Sequence, residues 1–310
     1  VDERKHLDAT AFSVMLVLTA LWGFQQVAIK LTAPDVSLVM QAALRTFLAA
    51  ALLLAWARAR GIALFSRDGT LAAGIGAGLL FGGEFVFIYG GLAHTAASRM
   101  VVFIYLAPIV TALGLHWRVP GERLARGQWA GVLLAFAGVA LAFGDGFLGA
   151  RGATLFGDFC GLVAAVLWGA TTVLIRATKL ARASAAKTLF YQLAVAAPML
   201  LATSLALGER GVVALTPLAA ASLAYQGAIV AFASYLAWFW LLTRYLAARL
   251  AVFSFMTPLF GVLAGVAVLG EPLRPSFAAA ALLVGAGIVL VNRRPAPTRS
   301  SAAAPGSRAP

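Results

Sequence analysis

From about Thr10 to Asn292 the chain is a succession of apolar stretches, each roughly as long as a bilayer-crossing helix and each bounded by charge, proline or glycine. Their approximate limits are 10–31, 36–57, 71–91, 96–116, 127–144, 155–177, 185–207, 217–242, 248–270 and 276–292. At 1.5 Å per residue a helix of about 20 residues crosses about 30 Å of hydrocarbon. Barrel strands would be about half as long and would alternate in polarity. The run Ala49-Ala50-Ala51-Leu52-Leu53-Leu54 does not alternate, so the spans are helices. Composition closes off the soluble classes. Apolar residues make up 62% and charged residues 11% of the 310, against usual shares of about 45–50% and about 25%. So few charges cannot cover a water-exposed surface. A soluble enzyme, a disordered chain and a secreted disulfide scaffold are all excluded. With Cys160 alone and three histidines, neither an intrachain disulfide nor a His-rich metal site is expected.

The fold class expected is an all-α integral membrane protein with ten transmembrane helices. Its first span is too long for a signal-peptide core and is read as retained. The basic residues set the orientation. With the N-terminus inside, 18 of the 24 Lys and Arg fall in inner segments, among them Arg58, Arg60, Arg118, Arg126, Lys179, Arg182 and Arg244. Five fall outside, and Arg45 lies within a span. This positive-inside bias puts both termini in the cytoplasm. It also accounts for the net charge of +13 without a nucleic-acid partner. Residues 293–310, rich in Pro, Ala, Ser and Arg, read as a disordered cytoplasmic tail.

The chain resembles itself at a shift of about 146–150 residues. Leu21-Trp22-Gly23 with Lys30 returns as Leu167-Trp168-Gly169 with Arg176. Ala97, Arg99, Val102, Phe103 and Pro108 return as Ala247, Arg249, Val252, Phe253 and Pro258, and Gly121-Glu122 with Leu124 as Gly270-Glu271 with Leu273. Apolar helices resemble one another through Ala and Leu alone, but not through Trp, Arg, Pro and Glu in the same order. The expected units are 10–144 and 155–292, five helices each. An odd number makes the second copy enter from the opposite side, giving two inverted repeats with a site near the midplane between them.

These doubled motifs, LWG-x(6)-[KR], A-x-R-x(3)-F-x(4)-P and G-E-x-L, resemble the drug/metabolite transporter superfamily, and its ten-helix EamA-type transporters in particular. Within that group the chain is most similar to YddG-type amino-acid exporters. The resemblance covers roughly residues 10–292. It implies a secondary transporter in a bacterial inner membrane, exporting small metabolites, amino acids including aromatic ones foremost, with no cofactor. Drug-like cations and sugar conjugates are the alternative substrate classes.

The residues themselves offer several candidates. Trp22 and Trp168 occupy equivalent places and either wall a substrate path or fill space beside their glycines. Gln25 and Gln26, with Thr171 and Thr172 in the repeat register, are polar groups at membrane depth that need partners. Tyr235 and Trp238, three apart in the eighth span, share a face. Tyr89 and Tyr105 are further wall candidates, and Pro108 and Pro258 interrupt the fourth and ninth spans as a pair of candidate hinges. Gly74, Gly78 and Gly82 form a close-packing stripe that serves an intrachain contact or a homodimer equally well. Trp22, Trp168, Tyr235 and Trp238 are expected at a central cavity, with the fifth and tenth spans at the periphery.

Arg45 and Glu84 lie at matching depths, about 13 and 10 Å below the outer boundary. A mid-span arginine costs about 2.5–3.5 kcal/mol on insertion scales, so it needs a protein or cavity partner. The two are expected to interact directly or through water, as a helix clamp or as a binding pair for a substrate carboxylate or ammonium. No P-loop sequence is present. An intramembrane enzyme would need a base that His6, His94 and His116 cannot provide as a pair, and no ring of like charge suggests a channel.

Overall fold

The computed structural model describes residues 7–92, 94, 100, 103–143, 152–270 and 276–292, and these are helical throughout apart from turns and a bridge between Val36 and Val212. Helix α1 is Ala9–Thr32, started by the Asp8 carboxylate, which accepts from the Ala11 amide at 2.9 Å. It is followed by α2 (Leu38–Ala59), α3 (Leu71–Leu92), α4 (Ala107–Arg118), α5 (Arg126–Phe143), α6 (Gly152–Ala177) and α7 (Ala185–Ala206). Helix α8 (Pro217–Ala224) runs through a π-helical stretch, Tyr225–Ser234, into α9 (Tyr235–Arg244). Helix α10 (Ala247–Phe253) and α11 (Thr257–Leu269) are joined by the 3-10 turn Ser254–Met256, and α12 is Ser276–Asn292.

By length and composition seven of the described helical runs can cross a membrane, counting Pro217–Arg244 and Ala247–Val268 each as one. Arg126–Leu141 and Ala278–Asn292 are shorter apolar helices. The tail 293–310, Arg99 and Glu271 lie outside the described residues.

Glycine decides which helices approach. On α3, Gly74, Gly78 and Gly82 receive Tyr191, Val195 and Met199 of α7, and a Cβ on Gly78 would stand 2.5 Å from that of Val195. The stripe is therefore covered within the chain and is not free for a second copy. Gly23 of α1 lies on α11, where a Cβ would meet the Gly261 nitrogen at 2.7 Å. Gly169 of α6 lies on α4 in the same manner, against Val110 and Thr111. Helices α5 and α12 pack on each other through Gly131 and Gly287.

The spans that carry Pro108 and Pro258 are not continuous kinked helices. The chain turns at Tyr105-Leu106 before α4 and at Ser254–Met256 before α11, and the helix restarts one residue before each proline. Pro108 and Pro258 thus occupy the first turn, where the missing N–H has no intrahelical acceptor to lose.

Polar groups at depth are mostly paired. Gln41 accepts from Thr32 Oγ1 at 3.2 Å and from Gln226 Nε2 at 3.0 Å, and donates to the Val36 carbonyl at 2.9 Å. Tyr225 donates to the Leu21 carbonyl at 2.9 Å. At one end of the bundle Lys187 donates to Ser66 and to Asp68 Oδ2, the latter at 2.7 Å.

Candidate functional site

The centre of the bundle holds two groups of aromatic rings, most of them in edge contact. Trp22 of α1 meets Tyr235 and Trp238 of α9 with centroids 6.2 and 5.8 Å apart. Its indole N–H donates to Ser234 Oγ at 2.8 Å, which fixes the ring's direction. Tyr235 continues to Phe81 of α3 at 6.0 Å, and Phe81 to Phe85 at 5.1 Å. Phe81, Glu84 and Phe85 stand at i, i+3 and i+4, so α3 turns all three the same way. On the other side Trp168 of α6 meets Tyr105 at 5.9 Å, and Tyr105 meets Phe255 at 6.4 Å. Tyr105 and Phe255 stand at the two chain breaks and are separated by the same 150 positions as Pro108 and Pro258.

Arg45 enters this centre from α2. Its residue is 1% exposed, and its guanidinium lies over the Phe85 ring, 4.6 Å from the centroid. Nε and Nη1 have no hydrogen-bond partner. Tyr235, Tyr89 and Glu84 are the groups that bear on it electrostatically. Glu84 is buried, Arg45 is the charge that bears on it, and among the described residues the two close no direct ion pair. The structure thus puts Arg45 and Glu84 within electrostatic reach and keeps them apart.

The other candidates divide. Trp22, Tyr235, Trp238 and Phe81 form one group, while Tyr105, Trp168 and Phe255 form another. Gln25 is buried beside them on α1 with no side-chain hydrogen bond among the described residues. The Gln26 side chain lies outside the described ones. The hydroxyls of Thr171 and Thr172 each donate to their own helix, at the carbonyls of Leu167 (2.8 Å) and Trp168 (3.5 Å). Trp240 stacks under Arg244 at 4.5 Å, and Tyr245 donates to Asp8 at 2.9 Å, at the end of α9. Burial and the Asp8 carboxylate raise the Tyr245 phenol above its usual value.

Sequence reading missed Phe81, Phe85 and Phe255, and the role of Ser234. The i, i+4 aromatic pair flanking Glu84 was a usable signal for the first two. Nothing marked Ser234 as the indole's acceptor.

A second constellation explains the G-E-x-L motif. Glu122, in a turn after α4, accepts from Arg176 Nε of α6 at 2.9 Å and also from its Nη2. It accepts as well from the Ala247 and Ala248 amides, at 3.1 and 3.2 Å, and so caps α10. The residues LWG-x(6)-[KR] and G-E-x-L are thereby joined across the repeat boundary. Arg249 lies beside Glu122, and with Arg123 and Gln128 lines an adjoining recess of about 210 Å3. Among the described residues no group of three or more His, Cys, Asp or Glu could hold a metal ion.

A multi-helix apolar bundle with an aromatic centre that holds a buried arginine and a buried glutamate has the build of a membrane transporter. The profile of the EamA-like transporter family matches residues 10–144 and again 155–293. An uncharacterized transporter of Archaeoglobus fulgidus is 30% identical over 294 residues, covering 91% of this chain and 97% of that protein. The uncharacterized transporter YoaV of Bacillus subtilis is 24% identical, over 89% and 94% of the two chains. A Salmonella typhimurium protein described as a probable amino-acid metabolite efflux pump is 26% identical, over 89% and 92%. A crystal structure with 23% identity shares the fold at a TM-score of 0.76, over 91% of this chain and 97% of the other. The chain belongs to the EamA-like transporter family, within the drug/metabolite transporter superfamily. It is a multi-pass integral membrane protein, a transporter of small molecules and not an enzyme.

Proposed function

We propose that the protein exports small metabolites, amino acids including aromatic ones foremost, from the cytoplasm across a bacterial inner membrane. Ten spans in two inverted repeats, 10–144 and 155–292, alternate access to one central site, with both termini cytoplasmic. Trp22, Gln25, Gln26, Glu84, Tyr105, Trp168, Tyr235 and Trp238 line that site, and Pro108 and Pro258 mark the hinges. The observation that carries this reading is the contact between Tyr105 and Phe255, which are 150 positions apart at the two chain breaks, with Trp22 and Trp168 in the aromatic groups around them. Repeat-equivalent residues that touch lie on a pseudo-twofold axis, which is where an alternating-access site belongs. The exchanged packing of Gly23 on α11 and Gly169 on α4 supports the same symmetry. The name of the Salmonella relative supports the substrate class.

The test is flux in proteoliposomes with amino acids of graded side-chain size, with and without a pH gradient. Saturable transport favouring large apolar side chains is expected. Flux of drug-like cations or sugar conjugates alone would replace the substrate class, and product formation would overturn transport.

A further inference from the structure

We propose that Arg45 and Glu84 are the two halves of a zwitterion receptor, Arg45 taking the carboxylate and Glu84 the ammonium of an α-amino acid. The inference rests on the amino-acid reading and names how the charges of that substrate are recognised. A guanidinium as deeply buried as Arg45 normally spends its N–H groups on carboxylates, carbonyls or water. Here Nε and Nη1 have no partner. Glu84, the carboxylate beside it, is likewise without a hydrogen bond among the described residues, and the two do not collapse onto each other. The Phe85 ring occupies one face of the guanidinium at 4.6 Å and Tyr235 hydrogen-bonds to it, while Nε and Nη1 are the donors without a partner. A carboxylate fits the forked N–H edge of arginine.

A ligand with a single ionised group would engage one of these side chains and leave the other without a partner in a low-dielectric centre. An amine alone would abandon Arg45, and a carboxylate alone would abandon Glu84. A zwitterion pairs both and leaves the net charge of the site unchanged. The titratable neighbours fit this assignment: Tyr89 and Tyr235 bear on Arg45, Tyr235 also through a hydrogen bond, and Tyr105 and Tyr235 bear on Glu84, all three as phenols that donate or accept without adding charge. Tyr235 then leads to Trp22 and Phe81, an apolar wall for the side chain.

The experiment measures thermal stabilisation of the purified, detergent-solubilised protein by ligand, alongside flux in proteoliposomes. The ligands are phenylalanine, N-acetylphenylalanine, phenethylamine and 3-phenylpropionate. Phenylalanine is expected to stabilise, and each singly charged analogue to bind at least about tenfold more weakly. In Glu84→Gln the preference should move toward 3-phenylpropionate, and in Arg45→Gln toward phenethylamine. Should either variant not fold, the ligand series on the unmodified protein decides alone. Equal stabilisation by phenylalanine and a singly charged analogue overturns the receptor, whatever the flux. Selective stabilisation without flux upholds it and removes the export reading. Saturable flux with no charge discrimination does the reverse. Neither stabilisation nor flux by phenylalanine removes both.

Discussion

Single atoms control how closely this bundle packs. A Cβ at position 23 would stand 2.7 Å from the Gly261 nitrogen and 2.8 Å from the Thr257 carbonyl oxygen, and backbone cannot step aside as a flexible side chain can. Gly23→Ala is therefore expected to lose about 1–3 kcal/mol of stability, the usual cost of overpacking. Gly285, on α12, has nothing within 4 Å of its Cβ position. Gly285→Ala should gain about 0.5–1 kcal/mol, because a helical glycine surrenders more backbone freedom than alanine does. Melting the two variants side by side in one detergent checks both signs. Ser234 acts at the same scale. Removing its hydroxyl leaves the Trp22 N–H without an acceptor at 2.8 Å. Ser234→Ala should cost roughly 0.5–1.5 kcal/mol, and it should weaken aromatic-substrate affinity while leaving the small-substrate panel nearly unchanged.

Elements are joined at their ends by charge. Glu122 ties α6 to the start of α10, and its side chain and that of Arg176 are 1% and 5% exposed. Glu122→Gln strands a buried guanidinium and is expected to cost about 3–5 kcal/mol. Glu122→Gln with Arg176→Gln should recover part of that loss, since two neutral groups are better buried than one bare charge. Chemical denaturation of the single and double variants tests the coupling. At Asp68 the Lys187 ammonium and the Thr70 hydroxyl hold the carboxyl well below its ordinary 3.8. A depressed carboxyl stabilises fully above its unfolded value and loses that contribution only as pH falls through the folded one. Stability from this contact should thus be flat across roughly pH 5–8, with Asp68→Asn lowering the melting point by the same amount throughout. A fall in that difference within the window would show another titrating group at work. The π-helical stretch Tyr225–Ser234 is an element-scale device of a different kind. Its i→i+5 pattern turns the chain less per residue than an α-helix, which sets the phase at which Tyr235 and Trp238 leave it.

At the scale of the molecule the two chain breaks face each other. Because Pro108 and Pro258 start helices, alanine at either place restores an N–H that the first turn does not need. Pro108→Ala and Pro258→Ala should each change stability by less than about 1 kcal/mol, yet slow the transport cycle if the breaks are hinges, the two variants slowing it to similar extents. Stability and turnover measured on the same preparations separate the roles. Unchanged turnover in both would make the prolines architectural.

Hydropathy along the chain determined that these residues span a membrane as helices, because burying a backbone in hydrocarbon leaves no other way to satisfy it without closing a barrel. The recurrence of Trp22-Gly23 at Trp168-Gly169 and of Pro108 at Pro258 was equally legible, since a repeat is a property of order alone. So was the aromatic face of Tyr235 and Trp238, which follows from spacing. Which faces meet was decided only in three dimensions. The glycines of α3 gave a packing stripe without naming α7 as its occupant. Arg45 and Glu84 announced a need for partners through their depth, but that the guanidinium would lie over the ring of Phe85 was not legible. Nor does any local signal mark the π-helical phase after Tyr225 or the capping of α10 by Glu122. Periodicity assigns a side chain to a face of its own helix. The rotation of one helix against another is set by the contacts both make at once, and no single stretch of sequence contains them.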